Sequence, residues 1–145
     1  MSGWYLHHLL LAAIVVVTGL AWLKGGWPER IGASLNLAIA LLFFALQLFM
    51  SPAALSLSLL IIDGVLGLGF LLLALRYTSL WLGAAMLLQA GQFSLHAFYY
   101  VTTKPVDRLF AVVNNVVSWG ILLAILAGVG ASWLNSRKLA RQPAR

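Results

Sequence analysis

The sequence is poor in charged residues and contains no cysteine. Only 8% of its 145 residues are charged, only three are Asp or Glu, and 63% are hydrophobic. A soluble domain carries roughly 25% charged residues, so a surface of this composition would not be wetted by water. We therefore expect the chain to be embedded in a lipid bilayer.

The missing residue types also exclude several kinds of function. Without cysteine there is no disulfide, no thiolate nucleophile and no thiolate ligand for zinc or an iron–sulfur cluster. The net charge of +6 does not indicate nucleic-acid binding, because the basic residues lie at the ends of apolar segments and near the C-terminus. The sequence carries no nucleophile–base arrangement, metal-ligand cluster or cofactor motif. It therefore predicts a protein that is not an enzyme, with no catalytic residue, metal or cofactor.

Five apolar segments fill most of the chain, at residues 6–23, 31–50, 54–75, 80–100 and 109–134. Each approaches the roughly 20 residues that a helix needs to cross a bilayer core of about 30 Å. The separators contain the glycine, proline and polar residues that end helices, at 24–30, 51–53, 76–79 and 101–108. We predict an all-α fold, a polytopic membrane bundle of five transmembrane helices. Residues 1–134 form its single domain, and residues 135–145 form a basic cytoplasmic tail.

Lys and Arg are distributed unequally between the two sides of such a bundle. With the C-terminus inside, seven of the nine lie on the inner side, namely Lys24, Arg30, Arg76, Arg137, Lys138, Arg141 and Arg145. Only Lys104 and Arg108 are then outside. The positive-inside rule therefore predicts an N-out, C-in orientation. Tryptophans at the predicted span ends agree with an interfacial aromatic belt, namely Trp22, Trp27, Trp81 and Trp133.

Asp63 lies near the middle of the third span. Inserting an acidic side chain at that depth of the membrane costs about 2.5–3.5 kcal/mol on the insertion scale. A residue retained at such a cost is therefore a candidate functional residue. In the fourth span Gln89, Gln92 and His96 are spaced three and four residues apart and share one helix face. We predict an intramembrane polar cluster of these side chains with Asp63 and with Asn115 of the fifth span. Asp63 and His96 are its ionisable pair.

The alternative role for polar side chains in a membrane bundle is hydrogen bonding between helices. Such contacts contribute roughly 0.6 to 2 kcal/mol each. For Asp63 the structural and the functional role are both open at this point. Packing is the favoured role for four other polar residues, Asn36, Gln47, Asn114 and Ser118.

The fifth span has a small residue at every fourth position, and this small-residue ladder consists of Gly120, Ala124, Gly128 and Ser132. Small side chains at this spacing let another helix backbone approach closely. The ladder therefore predicts a helix-packing interface. Whether the partner helix belongs to this chain is left open by the sequence.

The segment Trp27-Pro28-Glu29-Arg30-Ile31, followed by Asp63, by Arg76 with Trp81 and by Gln89 with His96, resembles small multi-pass proteins of α-proteobacterial inner membranes. The resemblance covers the chain from about Gly25 to the end of the fifth span. It implies a bacterial protein of the inner (cytoplasmic) membrane. It implies no activity and no catalytic residue.

Two functions are compatible with these features. The favoured one is a non-enzymatic accessory or structural subunit that packs against a larger membrane complex. Its partners would be the lipid bilayer and either other subunits or further copies of the chain, without nucleic acid. The small-residue ladder and the short loops favour this interpretation. The alternative is a small membrane carrier or ligand-binding protein that uses Asp63 with His96.

The predicted topology can be tested with reporter fusions. A reporter placed at Ser51 should be active on the periplasmic side, and one placed after Arg145 should be active in the cytoplasm, because of the positive-inside distribution. Alkaline phosphatase and green fluorescent protein report the two sides. Periplasmic activity of the C-terminal fusion would contradict the orientation.

Overall fold

The computed structural model consists of five α-helices. It describes the backbone of residues 2–141 and the side chains of residues 8–51 and 54–141. The helices are α1 (Ser2–Lys24), α2 (Trp27–Phe49), α3 (Pro52–Arg76), α4 (Leu80–Val101) and α5 (Arg108–Ala140). The prediction of an all-helical fold with five helices is confirmed.

Three of these helices are long and apolar enough to cross a membrane within the described residues. They are α2, the part of α3 at Ala54–Arg76, and α5, while the part of α1 at His8–Lys24 is a shorter apolar helix. Helix α4 has 22 residues but is not among the three. Gln89, Gln92 and His96 lower the hydropathy of α4, so the helix that carries most of the predicted cluster is not one of these three.

Consecutive helices run antiparallel and close into a ring. Helix α4 packs extensively on α3 and α5, and α1 closes the ring by packing on both α2 and α5. The two ends of the bundle are named here by their connections. The Gly25 end holds the α1–α2 and α3–α4 connections and the C-terminal part of α5. The Pro105 end holds the α2–α3 and α4–α5 connections.

Several helices extend beyond the limits that the sequence predicts, and α1 and α3 begin at Ser2 and Pro52 instead of residues 6 and 54. Residues 27–30, expected in a turn, form the first turn of α2, so only Gly25 and Gly26 link α1 to α2. Pro28 is suited to a first turn because it has no N–H to leave unpaired. Glu29 Oε2 accepts the Gly26 N–H at 2.9 Å, which caps the helix. Helix α5 continues past 134 to Ala140, so the predicted tail begins as helix, and residues 142–145 lie outside the described part.

A buried carboxylate joins three helices at the Gly25 end. Glu29 of α2 is only 3% exposed. It accepts hydrogen bonds from Trp81 Nε1 of α4 at 2.8 Å and from Ser132 Oγ of α5 at 2.9 Å. The prediction that Trp81 lies in an interfacial belt is wrong, because its indole N–H finds this carboxylate inside the bundle.

The Trp81 ring lies between two glycines. A Cβ atom at Gly32 of α2 would lie 2.8 Å from Cη2 of the ring, and one at Gly128 of α5 would lie 2.5 Å from Cδ1. Both distances are shorter than carbon–carbon contact allows. The indole therefore fits between α2 and α5 only because both positions lack a side chain.

The small-residue ladder of α5 packs within the chain. Gly128 faces Trp81 of α4. A Cβ atom at Gly120 would lie 3.0 Å from the side chain of Leu88, which also belongs to α4. The other two members of the ladder are Ala124, which packs against the hydrophobic core, and Ser132, which bonds to Glu29. The partner that the sequence left open is mainly α4.

Alanine substitutions at two glycines of α5 test the tight packing around Trp81. Gly128→Ala should lower the free energy of unfolding by about 1–3 kcal/mol, the usual cost of overpacking. Gly130→Ala is the matched control, because no atom lies within 4 Å of its added Cβ. It should be neutral or raise stability by up to about 1 kcal/mol, since alanine is the better helix former. Thermal unfolding in detergent measures both, and equal effects would contradict the close approach of α4 and α5.

Candidate functional site

Asp63 of α3 is buried, and both of its carboxylate oxygens are engaged by α4. Its exposure is 4%. Gln89 Nε2 donates a hydrogen bond to Oδ1 at 3.0 Å, and His96 Nδ1 contacts Oδ2. Gln89 and His96 are themselves buried. The structure thus brings three of the five predicted cluster residues into direct contact.

Helix geometry explains why one carboxylate reaches both partners. Gln89 and His96 are seven residues apart, which is about two turns, so they lie on the same face of α4. That face packs against α3, the helix that carries Asp63. A buried acid needs donors on its oxygens, because burying it without them costs several kcal/mol. The described residues contain no group of three or more His, Cys, Asp or Glu side chains that could hold a metal ion.

Gln92, the fourth member of the predicted cluster, bonds to α5 instead of Asp63. Its Nε2 donates to Asn114 Oδ1 at 3.0 Å. Its Oε1 is buried and has no hydrogen-bond partner among the described residues. An unsatisfied buried acceptor costs about 1–3 kcal/mol, so this atom is a place where a bound molecule would gain a hydrogen bond.

A cavity of about 320 Å³ lies among the five helices and includes the predicted cluster. One side, the polar wall, comes from α3, α4 and α5 and consists of Asp63, Gln89, Gln92, His96, Asn114, Asn115 and Ser118. The opposite side, the apolar wall, comes from α1, α2 and α3, and its apolar residues are Leu10, Ile14, Ile39, Ala40, Phe43, Leu55, Leu59, Ile62 and Leu66. Asn36 and Gln47 of α2 add two amides to this side. The cavity is therefore polar along one side and mainly hydrocarbon-like along the other.

The cavity occupies the half of the bundle toward the Pro105 end. Along α3 it extends from Leu55 to Leu66, a rise of about 16 Å at 1.5 Å per residue. Beyond this level the interior is filled by fully buried side chains, namely Phe70, Leu82 and Ile125. The bundle is thus hollow in one half and packed in the other.

Three amide side chains that line the cavity are unpaired. Asn36 and Gln47 of α2 and Asn115 of α5 make no side-chain hydrogen bond within the part of the chain that the structure describes. The sequence assigned Asn36 and Gln47 to packing between helices, and this assignment is wrong, because neither bonds to another helix. Asn115 lies in the polar wall but bonds to no other member of the predicted cluster. The spacing of Asn36, Ala40, Phe43 and Gln47 on one face of α2 was the signal that these amides share a surface.

Phe110 covers the site toward the Pro105 end. Its ring centroid lies 5.0 Å from that of His96 and 4.9 Å from that of Tyr99. Its backbone N–H donates to Asp107 Oδ1 at 2.9 Å, which makes Asp107 the N-cap of α5. The position of the ring over His96 is therefore set by the first turn of α5.

The charge on Asp107 is stabilised by its neighbours. Lys104 Nζ lies 2.8 Å from Oδ2, and the Tyr99 hydroxyl donates to Oδ1 at 2.6 Å. These two contacts, with the Phe110 N–H, hold the pKa of Asp107 well below its usual range. Asp107 in turn raises the pKa of Lys104. The capping carboxylate therefore stays ionised at neutral pH, and Phe110 stays in place over the site.

Substitutions at Asp63 separate its roles. Asp63→Leu should lower the melting temperature in detergent, because Gln89 and His96 lose their acceptor at about 1–3 kcal/mol for each buried polar group. Asp63→Asn should remain close to wild type in stability, since an amide can still pair with both side chains. The double variant Asp63→Leu/His96→Leu should lose less than the sum of the two single variants, because the orphaned imidazole is gone. A wild-type melting temperature for Asp63→Leu would contradict this network.

No protein-family model, curated protein or solved structure matches the chain. The resemblance to small inner-membrane proteins of α-proteobacteria stays a prediction.

Proposed function

We propose that the chain is a multi-pass membrane protein that binds a small molecule in its central cavity. It acts as a ligand-binding protein or small carrier, without catalysing a reaction. The observation that carries the proposal is the cavity itself, into which a buried acid–imidazole pair and several unpaired amides project. The pair of Asp63 and His96 is the polar centre of the site.

The proposed topology is five spans, with the N-terminus outside and the C-terminus in the cytoplasm. Basic side chains gathered at the Gly25 end support it. Lys24 Nζ lies 4.3 Å and the Arg137 guanidinium 3.9 Å from the centre of the Trp133 ring. An excess of Lys and Arg is typical of the cytoplasmic side of a membrane protein, and interfacial tryptophans can stack with such cations. The resemblance to α-proteobacterial proteins supports the bacterial inner membrane as the location.

Ligand binding explains features that packing alone does not. A bundle stabilised only by interhelical contacts would fill its interior with apolar side chains and would pair its amides. Here the half-buried amides of Asn36 and Asn115 and the buried Gln92 Oε1 atom have no partner among the described residues. The volume of about 320 Å³ is at the lower end of the range for small-molecule sites.

The favoured prediction from the sequence was an accessory subunit of a larger membrane complex. One of its reasons was the small-residue ladder as a docking surface. In the structure Gly120 and Gly128 face α4, Ser132 bonds to Glu29 and Ala124 packs against the core, so the ladder no longer favours a partner subunit. The prediction of partner subunits or of a homo-oligomer remains, and copurification in mild detergent tests it.

Cysteine labelling tests whether the cavity is accessible, since the chain has no cysteine of its own. Ala40 of α2 lines the cavity, whereas Ala38 of the same helix is exposed on the outside of the bundle. Ala40→Cys should react with N-ethylmaleimide in membranes, because its thiol meets water and can ionise. Ala38→Cys should not react, because a thiol facing lipid stays protonated and the thiolate is the nucleophile.

The control for reagent activity is Val106→Cys, in the exposed α4–α5 connection. It should react in every preparation. Mass spectrometry of the intact protein measures the labelled fraction. If Val106→Cys reacts and Ala40→Cys does not, the cavity is closed to small molecules and the proposed function is wrong.

A further inference from the structure

We infer that the ligand of the cavity has an uncharged polar group that both donates and accepts hydrogen bonds, attached to a hydrocarbon body. A primary amide is the simplest such group. The inference rests on the proposed function and adds the chemical class of the ligand. It follows from the charges, the free hydrogen-bonding atoms and the two-sided shape of the cavity.

The charges of the cavity disfavour an ionised ligand. Among the described residues that line it there is no Lys or Arg, and the titratable side chains are Asp63 and His96, which contact each other. An anion would therefore be buried without a partner of opposite charge, at a large desolvation cost. A cation would need the Asp63 carboxylate, and it would have to share the two oxygens with Gln89 and His96, which already contact them. An uncharged group avoids both costs.

The free atoms of the polar wall match a group with both a donor and an acceptor. Gln92 Oε1 is a buried acceptor without a donor, so the ligand has to supply an N–H or O–H. Asn115 on the neighbouring helix offers a free amide, so it can donate to a ligand oxygen. The bond from Gln92 Nε2 to Asn114 links the two helices, which holds both groups on the same wall.

The opposite wall determines the rest of the ligand. Ile39, Phe43 and Leu59 face the cavity without a polar atom in their side chains. A cavity about 16 Å long with one such wall favours an extended hydrocarbon body that lies along it. The polar group then contacts α4 and α5 while the body contacts α1, α2 and α3.

Three probes that differ only in their polar group test the inference, namely octanamide, octylamine and octanoate. At neutral pH the first is uncharged, the second is a cation and the third is an anion. The rate at which N-ethylmaleimide labels Ala40→Cys is measured with each probe at the same concentration. Octanamide should slow the labelling about fivefold or more, and octanoate should have no effect. Labelling of Val106→Cys should be unchanged by all three, which controls for disturbance of the membrane.

Asn115→Leu tests whether the polar wall holds the amide. The Asn115 side chain makes no hydrogen bond to the residues that the structure describes, so the variant should fold normally. In the Ala40→Cys background it should raise the half-protecting concentration of octanamide roughly 3- to 10-fold, the range that one neutral hydrogen bond supplies. Asn114→Leu is a matched neighbour that breaks the bond to Gln92, and it should lower the melting temperature, which Asn115→Leu should not.

Each outcome decides a different point. Stronger protection by octanamide than by the other probes, reduced by Asn115→Leu, supports the inference. Equal or stronger protection by octylamine or octanoate overturns it, as does an unchanged half-protecting concentration in Asn115→Leu. If Ala40→Cys reacts but no probe protects it, the inference fails while the accessible cavity stands. If Ala40→Cys does not react, both the inference and the proposed function fail.

Discussion

Two buried carboxylates have to find hydrogen-bond donors inside the bundle, and α4 supplies donors to both. Glu29 of α2 accepts from Trp81, and Asp63 of α3 accepts from Gln89 and is in contact with His96. An acid buried without such partners would cost several kcal/mol. Because Trp81, Gln89 and His96 are spaced about two turns apart, the contacts to the two acids are spread along α4. Helix α4 is thereby linked to α2 through Trp81 and to α3 through Gln89 and His96, while its backbone packs on α3 and α5.

The hollow half of the bundle follows from how α2 is packed. Its buried residues are Glu29, Gly32 and Ala33, all within its first two turns. There the small side chains of α2 leave room for the Trp81 ring, and α2 also packs on α5. Beyond Ala33 none of its described side chains is buried, and the face with Ile39 and Phe43 borders the cavity. Close packing at one end and separation at the other leave space beside Asp63.

The sequence predicted the parts of this arrangement that depend on local patterns. Hydropathy and helix-ending residues gave five helices, and the spacing of Gln89 and His96 on one helix face led to their pairing with Asp63. The role of Glu29 was missed because a charged residue beside Gly and Pro is typical of a loop. Its burial depends on Trp81, 52 positions away, and on Ser132, 103 positions away. Contacts between residues so far apart in the chain leave no signal in a local stretch of sequence. The same holds for a cavity, because it depends on how side chains from different helices pack.

The division of the bundle into a hollow half and a packed half has an electrical consequence. In a bilayer, water inside the cavity would conduct ions and protons far better than the packed side chains around Phe70 and Leu82. A transmembrane voltage then falls mostly across the packed half. Because the insulating layer is thinner, the electric field within it is stronger. Moving one charge through the full potential is worth about 2.3 kcal/mol per 100 mV. A proton reaching Asp63 from the Pro105 end would cross little of that potential, and one continuing to Glu29 would cross most of it.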